Sequence, residues 1–179
     1  MSEILHDNLQ HIRSLARDIE RKLSGTSSSE QLLRNEIAGM FAVTIAASYE
    51  GIVKETLVEY AAQFHPKYRD HIEKDFERLN AKISVPDLIS YSRRFGLTEW
   101  TGKGVKKNST TFHKVLQERK AVVERRFRAD LVTSYENIFT WRNAYAHERS
   151  TTATFSDVYN AHRVAQFVIR AFVSAFDQG

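Results

Sequence analysis

The chain has 179 residues, no cysteine, two prolines, seven glycines and a formal net charge of +4. That length suits one domain with a sizeable core. The lack of cysteine excludes disulfides and thiolate metal sites and makes a reducing cytoplasm the natural setting.

Hydrophobic residues at 42% and charged residues at 27% are ordinary for a globular protein. Leu, Ala, Glu, Lys and Arg are plentiful, so the composition reads as one all-α domain over 1–179. The amino terminus, Met1-Ser2-Glu3-Ile4, has no basic region leading into an apolar run, so no signal peptide is expected. No stretch reads as a membrane span, and no membrane partner is expected.

Ile4 to Leu23 reads as an amphipathic helix, with Leu5, Leu9, Ile12, Ala16, Ile19 and Leu23 on one stripe. Ser24-Gly25-Thr26-Ser27 ends it, and Ser27-x-x-Glu30 is a capping-box pattern for the next helix. That helix runs to Phe64, where Pro66 stops it. Its middle, Ala38 to Val53, is apolar nearly all round, which predicts the central, most buried helix. Glu50 interrupts the apolar stretch. It has two readings: an i,i+4 pair with Lys54, or a carboxylate facing a site and orienting a charged partner.

Lys67 to about Lys82 reads as a short charged helix. Ser84-x-x-Asp87, with Pro86 in the first turn, opens another that closes at Phe95 and Gly96. Leu97 to Thr110 is read as a long irregular stretch in which Trp100 lies near Lys103, Lys106 and Lys107. Aromatic and basic residues together suit a loop that grips a nucleic-acid strand. Thr111 to Phe127 is helical, and Arg125, Arg126 and Arg128 mark its basic end. Between positions 93 and 128 the local net charge is +8, whereas the rest of the chain sums to −4. Charge runs are usually solvated faces, but this asymmetry predicts an anionic partner, with Lys103, Lys106, Lys107, Arg125, Arg126 and Arg128 as RNA-binding candidates.

Leu131, Tyr135, Ile138 and Arg142 continue at helical spacing, so Arg142 stands on an apolar stripe. A charge there needs a partner or a task. Arg142 opens the segment Arg142-Asn143-Ala144-Tyr145-Ala146-His147. Arginine offers a planar, permanently charged fork for phosphate oxygens. Histidine, with an unperturbed pKa of about 6.5, exchanges protons near neutrality. Asparagine can orient the imidazole or bond a phosphate. Five positions separate Arg142 from His147, or about 140° around an unbroken helix. Either the helix loosens or ends near Ala146, or the two groups meet across two copies of the chain. Thr154-x-x-Asp157 caps a last helix whose stripe of Val158, Ala161, Ala165, Val168, Phe172 and Phe176 packs beside the central one. The remaining histidines show no metal spacing. His162 reads as a structural residue, and no metal or cofactor is expected.

The Arg142–His147 segment resembles the signature of the HEPN superfamily, whose members are all-α domains with an arginine and a histidine at this spacing. Ala46-Ala47-Ser48-Tyr49-Glu50-Gly51-Ile52-Val53 resembles the long central helix of its RiboL-PSP-type branch, including the acidic residue. The nucleotidyltransferase-linked branch carries a tyrosine two places after the histidine; here that position is Arg149. The resemblance implies a HEPN-like helical bundle, homodimeric, with two motifs meeting in one cleft. It implies a metal-independent endoribonuclease of the toxin or antiphage-defence type, restrained by a cognate antitoxin or regulatory protein. Cleavage by 2′-OH attack would leave 2′,3′-cyclic phosphate and 5′-hydroxyl ends. Arg142, Asn143, His147 and Glu50 are the catalytic candidates. The alternatives are a non-catalytic HEPN-like dimer that binds RNA or a partner, and a structural dimer with a buried Arg142–Glu50 pair.

Overall fold

A computed structural model describes residues 2–22, 28–78, 83–101 and 104–177. Helix α1 (Ser2–Lys22) lays Leu5, Leu9, Ile12 and Ala16 into the core, as its stripe predicts. Leu23 to Ser27 lie outside the described residues, as do the side chains through Leu32, so the Ser27–Glu30 cap does too. Helix α2 (Ser28–Phe64) spans 37 residues and is the scaffold of the fold. It buries Phe41, Ile45, Tyr49, Val53 and Leu57 completely or nearly so. Pro66, which cannot extend the ladder of the preceding turn, becomes the first residue of α3 (Pro66–Arg78). The expected continuation of α3 to Lys82 lies outside the described residues.

One sequence expectation fails on α2. Leu33–Phe64 is long and apolar enough to cross a membrane by length and composition. Its apolar character has another cause here: α3, α6 (Leu131–Glu148) and α7 (Phe155–Asp177) all pack along it. A helix covered from several sides needs apolar residues around most of its circumference.

Helix α4 (Val85–Arg94) starts as predicted. Ser84 Oγ accepts from Asp87 N–H, and Asp87 answers with a bond from Ser84 N–H at 3.1 Å. The stretch after it does not stay irregular. Thr98–Thr101 (β1) and Gly104–Thr110 (β2) form an antiparallel hairpin, pairing Trp100 with Val105 and Thr101 with Gly104. The β-branched residues Thr98, Thr101, Val105 and Thr110 favour extended backbone, and Gly104 sits beside the reversal. Lys103 and the side chains of Lys106 and Lys107 lie outside the described residues.

Helix α5 (Thr111–Phe127) ends on Arg128, which closes it in the left-handed conformation at φ 54°. Asp130 then caps α6, its carboxylate accepting from Thr133 N–H at 2.7 Å. Lys120 spans this corner to Glu124 at 3.6 Å and to Asp130 at 3.4 Å. Helix α7 opens on the reciprocal Thr154–Asp157 cap. It packs against α2, α5 and α6, with Phe172 and Phe176 fully buried or nearly so. Among the described residues seven helices and one hairpin make an all-α fold with a small β appendage.

A polar layer crosses the core at Tyr49 and His162. Tyr49 Oη and His162 Nδ1 share a bond of 2.9 Å, Tyr49 stacks on Tyr135 at 5.9 Å, and Tyr135 Oη donates to Ile83 O at 2.6 Å. Burial, helped by the guanidiniums of Arg13 and Arg170, pushes His162 down to about 3, so it is neutral at pH 7. His162 is the structural residue its sequence context predicts.

Candidate functional site

Helices α2 and α6 run antiparallel: Tyr135 meets Tyr49, while Tyr145 meets Glu36. The inward residues Leu131, Tyr135 and Ile138 are fully buried and fix the rotation of α6 about its axis. Arg142, the next residue on that stripe, reaches the rim of the α2–α6 seam. Helical side chains lean toward the N-terminus of their helix, which aims Arg142 along the seam toward Glu50.

Its Nη2 lies 3.3 Å from Glu50 Oε1, and its Nη1 donates to Asn143 Oδ1 at 3.0 Å. Glu50 therefore pairs with Arg142 and not with Lys54 four residues on. The side chains of Arg142 and Glu50 remain 37% and 30% exposed. The pair is thus neither a sealed core ion pair nor a free surface one. Guanidinium has five N–H donors, so two occupied contacts leave it able to take a phosphate oxygen.

Asn143 is exposed and spends its carbonyl on Arg142, not on His147. His147 is exposed on the last turn of α6. The helix neither loosens nor ends at Ala146. It continues through Glu148 and closes where Arg149 N–H bonds Tyr145 O at 3.0 Å, with Arg149 left-handed at φ 50°. Arg142 and His147 consequently stay about 140° apart on one unbroken helix. A single chain brings Arg142, Asn143 and Glu50 together and leaves His147 on a different face.

Tyr145, which the residue pattern does not single out, anchors the motif. Its hydroxyl donates to Glu36 at 2.9 Å, a bond that raises the hydroxyl's pKa above its ordinary value. Its ring lies directly on Gly39, where any side chain would overlap it. A glycine inside an apolar helix is the sequence signal for such a close approach.

Some described cations of the basic segment have partners within the fold. Lys120 is engaged with Glu124 and Asp130, and Arg119 donates to Ser174 Oγ at 2.7 Å. Arg125, Arg126 and Arg128 are exposed at the end of α5. The candidates Lys103, Lys106 and Lys107 have side chains outside the described residues. Among the described residues no group of three or more His, Asp or Glu could hold a metal ion.

No curated protein and no solved structure matches the chain. The family model described as RiboL-PSP-HEPN matches residues 7–178, which includes Glu50 and the whole Arg142–His147 segment. Membership of that group points to an RNase or RNA-binding role. The chain belongs to the RiboL-PSP-HEPN family, within the HEPN superfamily.

Proposed function

We propose that the protein is a metal-independent endoribonuclease whose active site is completed by a second copy of the chain. The observation that carries this reading is the Arg142 arrangement. A guanidinium is oriented by Glu50 and Asn143 but left accessible at a seam rim, with an exposed histidine on the same helix. The outer flank of α2 beside that seam supports a second copy. Leu33 and Met40, 50% and 58% exposed, and Ala47, also exposed, recur every seven residues there. On a helix they fall about 20–60° round from Glu36. A partner covering this flank would bury them.

In such a site His147 takes the proton from a ribose 2′-OH, or gives one to the leaving 5′-oxygen. The 2′-oxygen attacks phosphorus as the P–O5′ bond breaks. Arg142 stabilises the charge gathering on the non-bridging oxygens, and Glu50 and Asn143 hold its fork in place. The products are a 2′,3′-cyclic phosphate and a 5′-hydroxyl, so DNA is not cut. Arg125, Arg126 and Arg128 are among the exposed cations available to the RNA backbone, through salt-sensitive phosphate contacts. A toxin or antiphage-defence role, with an inhibitor held against the same seam, fits such an activity.

The test is RNA cleavage in EDTA by the wild type, Arg142→Ala and His147→Ala, with end chemistry read from the fragments. Cleavage by the wild type, lost in both variants while their helical circular dichroism is unchanged, supports the enzyme. RNA binding without cleavage by the wild type would leave a binding domain. A His147→Ala protein that still cuts would remove the assigned chemistry.

A further inference from the structure

With Glu50 turned to Arg142, Lys54 is left over: among the described residues it pairs with no carboxylate. It lines a cleft of about 440 Å³ between α2 and α3. Gly51, Val58 and Ala62 supply the apolar lining from α2, and Arg69 and Glu73 stand on α3. Gly51 is exposed, and a side-chain carbon built on it would meet nothing within 4 Å. The cleft therefore has an open hole at Gly51. On the same helix Met40 protrudes, with more than half of its side chain exposed.

Knob and hole share a face. At 100° per residue, Met40 and Gly51 fall about 20° apart around α2. Leu33 and Val58 also fall about 20° apart, and Thr44 and Ala47 about 60°. All three pairs are centred on one point, between Ile45 and Ala46. A knob and a hole placed this way are complementary to themselves. A two-fold axis through that point, normal to the plane of two α2 helices, sets Met40 of each copy at Gly51 of the other. Charge follows the same symmetry. Glu36 and Lys54 lie equally far from Ile45 and at about the same angle round the helix, so the axis brings them together twice. Glu36 uses its Oε2 on the Tyr145 hydroxyl and, among the described residues, has no cation as partner.

We infer that α2 pairs end for end with α2 of a second copy of the chain, Met40 entering the Gly51–Val58 cleft and Lys54 meeting Glu36. The match of the face to itself, in shape and in charge, singles out a second copy over an unrelated partner. The inference rests on the two-copy reading of the active site and specifies its interface. Glu50 sits about 90° round from the contact face. The two-fold axis keeps both Arg142–Glu50 pairs on the same side of the paired helices, with the two Glu50 residues about 14 Å apart along them.

The chain has no cysteine, so introduced cysteines report the register. Met40→Cys and Gly51→Cys, each oxidised alone, should stay uncross-linked, because like positions are about 16 Å apart along the paired helices. Mixed, the two should give a disulfide-linked dimer in non-reducing electrophoresis. Gly51→Leu has open space in the single chain and should keep the wild-type circular dichroism. It fills the hole, however, and should weaken dimerisation about ten-fold or more in sedimentation equilibrium. Glu36→Lys should weaken it by a similar factor, and Glu36→Lys/Lys54→Glu should restore it. A wild type that sediments as a monomer would overturn the inference and leave the flank to a different protein. A dimer indifferent to both Gly51→Leu and Glu36→Lys, or a mixture that gives no cross-link, would overturn this interface and leave the two-copy reading standing. An intact cross-link in a protein that cuts no RNA would support the interface and remove the active-site reading.

Discussion

Gly39→Ala is the sharpest probe of how α6 is seated. The added methyl falls inside the Tyr145 ring, against atoms near the ring's base as well as its edge, so a small rotation does not clear it. Overpacking of this kind costs about 1–3 kcal/mol. If Tyr145 swings away, it also surrenders its bond to Glu36, a loss of about 0.5–1.5 kcal/mol. Against this, alanine in a helix interior is favoured over glycine by about 0.5–1 kcal/mol. The balance is a destabilisation of about 1–2 kcal/mol, or roughly 3–6 °C in melting temperature for a chain of this length. Thermal unfolding followed by circular dichroism measures it. The paired experiment uses a Tyr145→Ala background, where the ring is gone and only the helix-propensity gain remains. There Gly39→Ala should stabilise by about 0.5–1 kcal/mol. A Gly39→Ala protein as stable as the wild type, or the same effect in both backgrounds, would refute the ring-on-glycine packing.

Mixing the separately inactive Arg142→Ala and His147→Ala proteins should restore cleavage to about a quarter of the wild-type rate, because random exchange makes about half the dimers mixed and each keeps one complete site. No recovery on mixing would mean that arginine and histidine act from the same chain. Glu50→Gln should lower the cleavage rate by up to about 100-fold through misplacement of Arg142, yet shift stability by less than about 1 kcal/mol because the pair is partly exposed; single-turnover rates and melting curves check the two halves. Asp130→Ala should cost about 1 kcal/mol at pH 7 through loss of the α6 cap. The Thr133 backbone N–H, then its side chain, hold Asp130 down at about 2 from an ordinary 3.8. That carboxylate's contribution is therefore full above about pH 4 and is lost as pH falls through about 2, so urea titrations of the two proteins should converge in strong acid.

Much of the scaffold is legible in the residues because each signal is local. The Ser84–Asp87 and Thr154–Asp157 caps place two helix starts, and Pro66 places a corner. Buried stripes at three- and four-residue steps orient α1 and α7. The hairpin after α4 is less legible: two short strands of four and seven residues are too brief for a period-2 pattern to stand out. Glu50 is ambiguous from sequence because Lys54, four residues on, offers an equally plausible partner; only the packing of α6 on α2 decides for Arg142. A cleft lined by five arginines is invisible in the linear sequence, since its members come from positions 13 to 170 and meet through three separate helices. The charge count looks toward 93–128, whereas of the Lys and Arg residues in that stretch Arg126 alone lines the cleft where Arg13, Arg17, Arg163 and Arg170 meet.

Arg142 and His147 lie five residues apart but are held by different physics. Arg142 extends a stripe whose other members, Leu131, Tyr135 and Ile138, are fully buried, so its position is tied to the rotation of α6 in the core. His147 sits on the final turn, past the last packed residue of that stripe, and its direction is set by where Arg149 closes the helix. A helix that ended one turn earlier would free His147 to fold back toward Arg142, but it would also lose the turn carrying Tyr145 and its seat on Gly39 and Glu36. The chain keeps the turn. With the guanidinium fixed at the seam and the imidazole fixed on another face, joint action on one phosphodiester needs a second imidazole brought in from outside. Under the proposed function, the exposed apolar flank of α2 that carries Leu33, Met40 and Ala47 is surface that such a second copy would cover.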